Sequence, residues 1–130
     1  MDTNILKIAS DTQNNKHIHN CTHSMKYKSQ ICGDEIEIFL IIKDNVIKDF
    51  SYQSQSCIYC NASANLATKN FKKKSKDKIK HFLKLLDKFN DKKNISFPNE
   101  WKDFKKIFDK KNYARKECLI LPIKALKKII

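Results

Sequence analysis

The chain has 130 residues, of which 41% are hydrophobic, enough for one domain with a core of its own. Its first residues lack the pattern of a signal peptide, and no apolar run approaches the ~20 residues of a membrane span. We therefore expect a cytoplasmic protein without a membrane partner. In that compartment five cysteines favour metal or sulfur chemistry over disulfides, and their odd number argues against complete pairing.

The chain carries 27 basic and 14 acidic residues, a formal net charge of +13. Such a charge is typical of proteins that bind nucleic acid or other anions. However, every basic residue except Arg115 is a lysine. Base readout and bidentate phosphate contacts favour arginine, so the composition argues against specific nucleic-acid binding and for a solvated lysine surface. A basic nucleic-acid-binding module is kept only as a distant alternative.

The N-terminal thirty residues are mostly polar and irregular after a short apolar start at Ile5, Leu6 and Ile8. We expect residues 1–30 to form a loosely ordered arm and residues 31–130 to form the folded core of a single domain. Within the arm His17, His19, Cys21 and His23 alternate. An extended chain would point all four the same way, as a metal site requires, but the disordered arm is the favoured interpretation.

A β-hairpin is predicted from Glu35 onward. Apolar residues alternate from Ile36 to Ile42, a two-residue turn at Asp44 and Asn45 follows, and a second alternating run extends to Tyr52. Phe39 and Ile41 indicate that part of the first strand is buried on both faces. The hairpin returns the chain to the region of Cys32, so Cys32 and Cys57 should lie at the same end of the sheet.

Helical patterns occupy the remainder of the chain. A helix beginning at Cys57 carries small residues for close packing on the sheet, and a second has its apolar stripe from Ile79 to Phe89. Pro98 is expected near the start of a third helix, which carries Trp101 and Phe104. The last apolar element extends from Leu119 to Ile129, with Pro122 expected in its first turn. The fold class is therefore α+β: a small antiparallel sheet with helices packed on one side.

The only glycine in the chain lies between Cys32 and Asp34. Glycine lets the backbone turn freely between a soft thiolate and a hard carboxylate. Cys57 and Cys118 also lie at boundaries of predicted elements. Together Cys32, Asp34, Cys57 and Cys118 supply four anionic ligands, enough for tetrahedral zinc or for an iron–sulfur cluster held mainly by thiolates. The alternative is that the cysteines are buried as small hydrophobic residues.

Two other residues near these patterns are assigned less specific roles. Cys60 lies one helical turn beyond Cys57 and is interpreted as a core residue in preference to a spare ligand or resolving thiol. His81 lies among lysines and is expected on the surface.

Three segments resemble the iron–sulfur scaffold proteins of the IscU, SufU and NifU N-terminal type. Cys32–Ile36 is similar to the family's first ligand motif, and Ser56–Ala64 is similar to its second, with a cysteine followed by Ala-Ser-Ala at a helix start. Arg115–Pro122 is similar to its C-terminal cysteine segment. The resemblance covers residues 31–130, and their order and spacing agree with the family.

The resemblance implies a function. Such proteins accept sulfur as persulfide from a cysteine desulfurase, assemble a [2Fe–2S] cluster from iron, and pass it to recipient apoproteins. It implies that Cys32, Asp34, Cys57 and Cys118 are the ligands and that Cys32 and Cys118 are candidate persulfide acceptors. In the SufU branch the same positions hold Zn²⁺ and the protein is a sulfur-accepting partner of the desulfurase. We therefore expect a scaffold and not an independent enzyme, with zinc-dependent sulfur transfer as the alternative.

Two departures from the IscU branch are visible. Glu117 replaces the histidine that precedes the third cysteine, and the Leu-Pro-Pro-Val-Lys chaperone motif is replaced by residues Asn112–Arg115. Transfer through a dedicated Hsp70 chaperone is accordingly not expected. Arg115 and the long insert between the second and third cysteines resemble the SufU and NifU-like branch more closely.

Overall fold

The protein is described by a computed structural model that covers residues 3–130. Within them the elements in chain order are α1 (Thr3–Ala9), β1 (His23–Lys28), β2 (Glu35–Lys43), β3 (Val46–Ser54), α2 (Ile58–Phe71), α3 (Lys76–Asn90), two 3₁₀ segments (Asn99–Lys106 and Lys110–Arg115) and α4 (Lys116–Lys127). The strands form an antiparallel sheet in the order β1-β2-β3. Helices α2 and α4 pack on this sheet, which confirms the predicted α+β class. No helix among residues 3–130 is long and apolar enough to cross a membrane.

The hairpin of β2 and β3 forms where the alternation predicts it. Lys43 pairs with Val46 across the turn, and Asp44 and Asn45 have φ values of +54° and +64°. Positive φ at both central residues is the backbone of a type I′ turn, which matches the strand twist and which Asn and Asp tolerate. The hairpin therefore follows directly from local sequence.

One face of the sheet forms the main core together with the helices. Ile38 pairs with Tyr52 and Leu40 pairs with Phe50, and all four side chains are buried. The residues of α3 that were predicted as an apolar stripe are buried as well: Ile79, Phe82, Leu83, Leu86 and Phe89. Burial of such side chains contributes roughly 1.5–3 kcal/mol each, so this face supplies most of the stabilisation.

The second face of the sheet is covered by the N-terminal segment. The Tyr52 N–H donates to the Asn14 carbonyl at 3.0 Å, and the Ser51 hydroxyl donates to the Lys16 carbonyl at 2.7 Å. Under this segment Phe39 is buried, as the double-sided pattern of its strand predicts. The sequence predicts a loosely ordered arm over residues 1–30, whereas residues 3–30 contain α1, this covering segment and β1. Met1 and Asp2 lie outside the described residues.

The first strand, β1, was not predicted. It pairs with β2 along its whole length, from His23 opposite Leu40 to Lys28 opposite Glu35. As an edge strand it buries little, and only Met25 and Tyr27 lie half-buried. A strand that depends on backbone pairing more than on side-chain burial gives a weak sequence signal.

The C-terminal elements differ from the prediction in two ways. Helix α4 begins at Lys116, so Pro122 lies inside it and not in its first turn. Proline lacks the N–H that would bond to the carbonyl four residues earlier. The neighbouring Leu119 carbonyl accepts a hydrogen bond from the buried Ser63 hydroxyl of α2 at 2.6 Å. The segment after Pro98 is a 3₁₀ helix with a kink at Trp101 and not a regular α-helix, and its Trp101 and Phe104 side chains are buried.

We expect Ser63→Ala to destabilise the protein by about 0.5–1.5 kcal/mol, because it removes a buried hydrogen bond between α2 and α4. Urea unfolding of the metal-free protein measures the change. Ser96→Ala, at an exposed position, serves as the control and should change the free energy of unfolding by less than about 0.5 kcal/mol. Equal stability of the two variants would show that the hydrogen bond to Leu119 is unimportant.

Candidate metal centre

The loop between β1 and β2 holds Cys32 and Asp34. Its conformation depends on Ser29, whose hydroxyl accepts hydrogen bonds from the N–H groups of Ile31 and Cys32 at 3.2 and 3.1 Å. The Ser29 carbonyl accepts from the Gly33 N–H at 3.1 Å, and the Ser29 N–H donates to the Asp34 carbonyl at 2.9 Å. Gly33 has φ +77°, a value that favours glycine. The loop is therefore fixed while the Cys32 side chain stays exposed.

The second part of the centre is the N-terminus of α2. Cys57 is the N-cap residue, as predicted, but its own side chain does not cap the helix. Instead Asp34 Oδ2 accepts a hydrogen bond from the Cys57 N–H at 3.3 Å. A carboxylate at this position also interacts favourably with the positive end of the helix dipole. Asp34 thus links the β1–β2 loop to α2.

Cys118 comes from the first turn of α4 and is only 4% exposed. Burial raises the pKa of its thiol, and hydrogen bonding to the Cys57 thiol, the charge of Cys57 and then the nearby Cys32 raise it further. In the metal-free protein the Cys118 thiol is therefore protonated at neutral pH, which relieves repulsion among the neighbouring acidic groups.

The three chain segments converge. The Cys32 and Cys118 sulfur atoms and an Asp34 carboxylate oxygen all lie within 4.8 Å of one another. Cys57 does not belong to this set of three, but its N–H donates to Asp34 and its thiol is one of the groups that raise the pKa of Cys118. Sulfur and carboxylate oxygen at such separations fit zinc or iron. Three of the four predicted ligands thus lie together, and the full ligand set stays a prediction.

Cys60 lies just behind this centre and is fully buried in the core. Burial raises its pKa to about 12, although hydrogen bonds with the Ser56 and Ser54 hydroxyls act in the opposite direction. A buried neutral thiol of this kind packs as a small hydrophobic side chain, in agreement with its interpretation from sequence.

The remaining candidate residues lie elsewhere. His17, His19, Cys21 and His23 do not form a converging group: among residues 3–130, only Cys32, Asp34 and Cys118 form a set of at least three such ligands. His81 is exposed, as expected.

Sequence reasoning missed Ser29, although a serine three residues before Cys32 is a known turn signal. It also missed the contact between Arg115 and Tyr59, in which the guanidinium carbon lies 5.4 Å from the ring centroid. This contact joins the residues that follow Cys57 to those that precede Cys118.

Comparison with known proteins gives consistent similarities. A family model described as the NifU-like N-terminal domain matches residues 2–95, a range that includes Cys32, Asp34 and Cys57 and ends before Cys118. The chain is 31% identical over 104 residues to the iron–sulfur cluster assembly scaffold protein IscU of Thermotoga maritima, covering 79% of this chain and 72% of that protein.

Two solved structures share the fold. The N-terminal part of a NifU-like protein from Brucella abortus has a TM-score of 0.85 at 17% identity and covers 96% of this chain and 88% of its own. A putative iron–sulfur cluster assembly scaffold protein for the SUF system from Fervidobacterium islandicum AW-1 has a TM-score of 0.88 at 22% identity. The match covers 98% of this chain and 94% of that chain. Unlike the family model, these similarities extend over nearly the whole chain.

We expect Gly33→Val to weaken metal binding more than it weakens the fold. A Cβ at this position would meet no atom within 4 Å, so the cost of the substitution comes from the positive φ, about 1–2 kcal/mol. That cost falls on the loop that carries two of the predicted ligands. Metal affinity by chelator competition and thermal unfolding measure the two effects. Gly33→Asn is the control and should retain metal binding, because asparagine tolerates positive φ. If the valine variant loses metal affinity and stability equally, Gly33 serves only as a structural turn.

The raised pKa of Cys118 predicts that metal uptake expels a proton from its thiol. Metal affinity should then rise with pH, because only the thiolate is a ligand. Calorimetry of Zn²⁺ binding at pH 7 in buffers of different ionisation enthalpy measures the protons released. Cys118→Ser should release about one proton fewer than the wild type. An unchanged number would mean that Cys118 does not bind the ion.

Proposed function

The chain belongs to the NifU-like N-terminal domain family, and we propose that it is a scaffold on which an iron–sulfur cluster is assembled. Iron and sulfur are its cargo: sulfur comes from a cysteine desulfurase, a [2Fe–2S] cluster forms on the protein, and the cluster passes to recipient apoproteins. Support for the proposal comes from one observation above all, the convergence of Cys32, Asp34 and Cys118 within 4.8 Å.

In this proposal Cys32, Asp34, Cys57 and Cys118 hold the cluster. Thiolates are the usual ligands of iron–sulfur clusters, and a carboxylate oxygen is a poorer ligand for the soft cluster than a fourth thiolate. Asp34 also has another partner, the N–H of Cys57 at the start of α2. A ligand that can return to a helix N-terminus suits a protein that must release its cargo.

Sulfur transfer in this proposal begins at Cys32. Its side chain is exposed, whereas Cys118 is buried and protonated. The Cys32 thiolate attacks the terminal sulfur of the desulfurase persulfide, a new S–S bond forms at Cys32, and the desulfurase cysteine leaves as a thiolate. The outcome is a persulfide on Cys32 and a regenerated desulfurase. Cys118 binds the cluster later, once its thiol has lost its proton.

A second function uses the same residues. Three thiolates and one carboxylate suit tetrahedral Zn²⁺, and the exposure of Cys32 favours it as the ligand that leaves zinc to accept sulfur. The protein would then be a zinc-bound sulfur acceptor and partner of the desulfurase. Metal and acid-labile sulfide analysis of protein purified without oxygen separates the two functions: iron with sulfide supports the scaffold, and stoichiometric zinc supports the sulfur acceptor.

Anaerobic reconstitution with ferrous iron and sulfide tests the scaffold directly. We expect visible cluster absorption in the wild type and its loss in Cys57→Ser, because a hydroxyl is a poor ligand for the cluster. Cys21→Ser is the matched control, since Cys21 is a half-buried cysteine outside the converging group. If wild type and Cys57→Ser both lack cluster absorption, or if both retain it equally, the proposed site is wrong.

A further inference from the structure

A pair of histidines lies on the opposite face of the sheet from the main core. His17 and His19 are both exposed, and their Nδ1 atoms are 3.2 Å apart. Whichever ring carries hydrogen on Nδ1 donates it to the Nδ1 of the other ring. At this separation a metal ion can replace the proton between the two nitrogens and bind both of them.

The distance between the nitrogens fits a chelated ion. Metal–nitrogen bonds of about 2.0–2.1 Å at a tetrahedral angle place two ligand atoms roughly 3.3 Å apart. The observed separation of 3.2 Å therefore needs little adjustment. Imidazole is a borderline donor that suits Zn²⁺, Ni²⁺ and Cu²⁺.

The pair is held in place before any ion arrives. The His17 ring meets the buried Phe39 ring edge-on, with centroids 4.5 Å apart. On either side of His17 the backbone is anchored, by the hydrogen bond from Ser51 to the Lys16 carbonyl and by burial of Ile18. A preorganised pair loses less conformational entropy on binding than two free side chains do.

We propose that His17 and His19 form a surface chelate for a divalent transition-metal ion, separate from the cysteine centre, with water completing the coordination. His23 does not share in it: its Nδ1 is 2.8 Å from the Thr22 hydroxyl, and among residues 3–130 no third histidine, cysteine or carboxylate converges on the pair. Lys16 and the net charge of +13 oppose a cation, so binding is modest and tightens as salt screens the repulsion. Ion binding by exposed carboxylates shows the reverse salt dependence.

Calorimetric titration with Ni²⁺ tests the proposal, in the presence of one equivalent of Zn²⁺ to occupy the cysteine centre. We expect a single Ni²⁺ site in the wild type, weakened at least about tenfold in His17→Asn and in His19→Asn, with affinity that increases from low to moderate salt. His81→Asn, at an exposed histidine on α3, is the control and should bind as the wild type does. Equal weakening in the control, or affinity that falls with salt, would overturn the chelate.

A second measurement does not depend on affinity. Long-range ¹H–¹⁵N spectra of the imidazoles report which nitrogen carries the proton. On addition of a second equivalent of Zn²⁺ both rings should carry hydrogen only on Nε2, since both Nδ1 atoms bind the ion. Retention of an Nδ1–H signal in either ring at saturation would exclude the chelate even if the variants bind less Ni²⁺. The test is independent of cluster assembly, so either proposal can fail alone.

Discussion

The cysteine centre depends on bringing together acidic groups from three distant chain segments that repel one another once ionised. The fold can do this without cargo because each segment is tied to the core: α4 through buried residues, the start of α2 through the sheet, and the β1–β2 loop through Ser29. Protonation of Cys118 removes one of the charges. When the remaining groups ionise they repel one another, and a cation bound among them would balance that repulsion.

Asp34 has a structural role as well as a chemical one. Its carboxylate reaches the N-terminus of α2 and lies in the same cluster as two thiols. In the proposed scaffold, an Asp34 carboxylate that turned toward an ion would give up its hydrogen bond to the Cys57 N–H, and the bond would form again once the ion had left. Under that proposal, release of cargo would be accompanied by recovery of a charge-assisted hydrogen bond at the start of α2. A fourth cysteine in place of Asp34 would bind a soft metal more firmly.

Local sequence was sufficient wherever one strong signal decided the structure. Asp44 and Asn45 determine the hairpin, and the stripe from Ile79 to Phe89 determines α3. Prediction from local sequence failed where contacts with distant parts of the chain determine the conformation. Strand β1 is an edge with little burial, α4 tolerates Pro122 inside it with Ser63 bonded to the next carbonyl, and Ser29 supports the ligand loop through backbone contacts. The converging residues were found because chemistry restricts which side chains bind metal, whereas their supports can be many residue types.

The N-terminal segment shows why polarity alone is a poor guide to order. Its residues bury little surface by themselves, yet Asn14 and Lys16 supply carbonyls to the edge of β3 and the segment covers Phe39. An aromatic residue on the second face of a sheet requires a cover, and in a chain with helices on the other face only the polar N-terminus was left to provide it. That cover brings His17 against Phe39 and next to His19. The two proposed metal-binding arrangements therefore have different physical origins: the cysteine centre follows from where strands and helices end, and the histidine pair follows from how the second face of the sheet is covered.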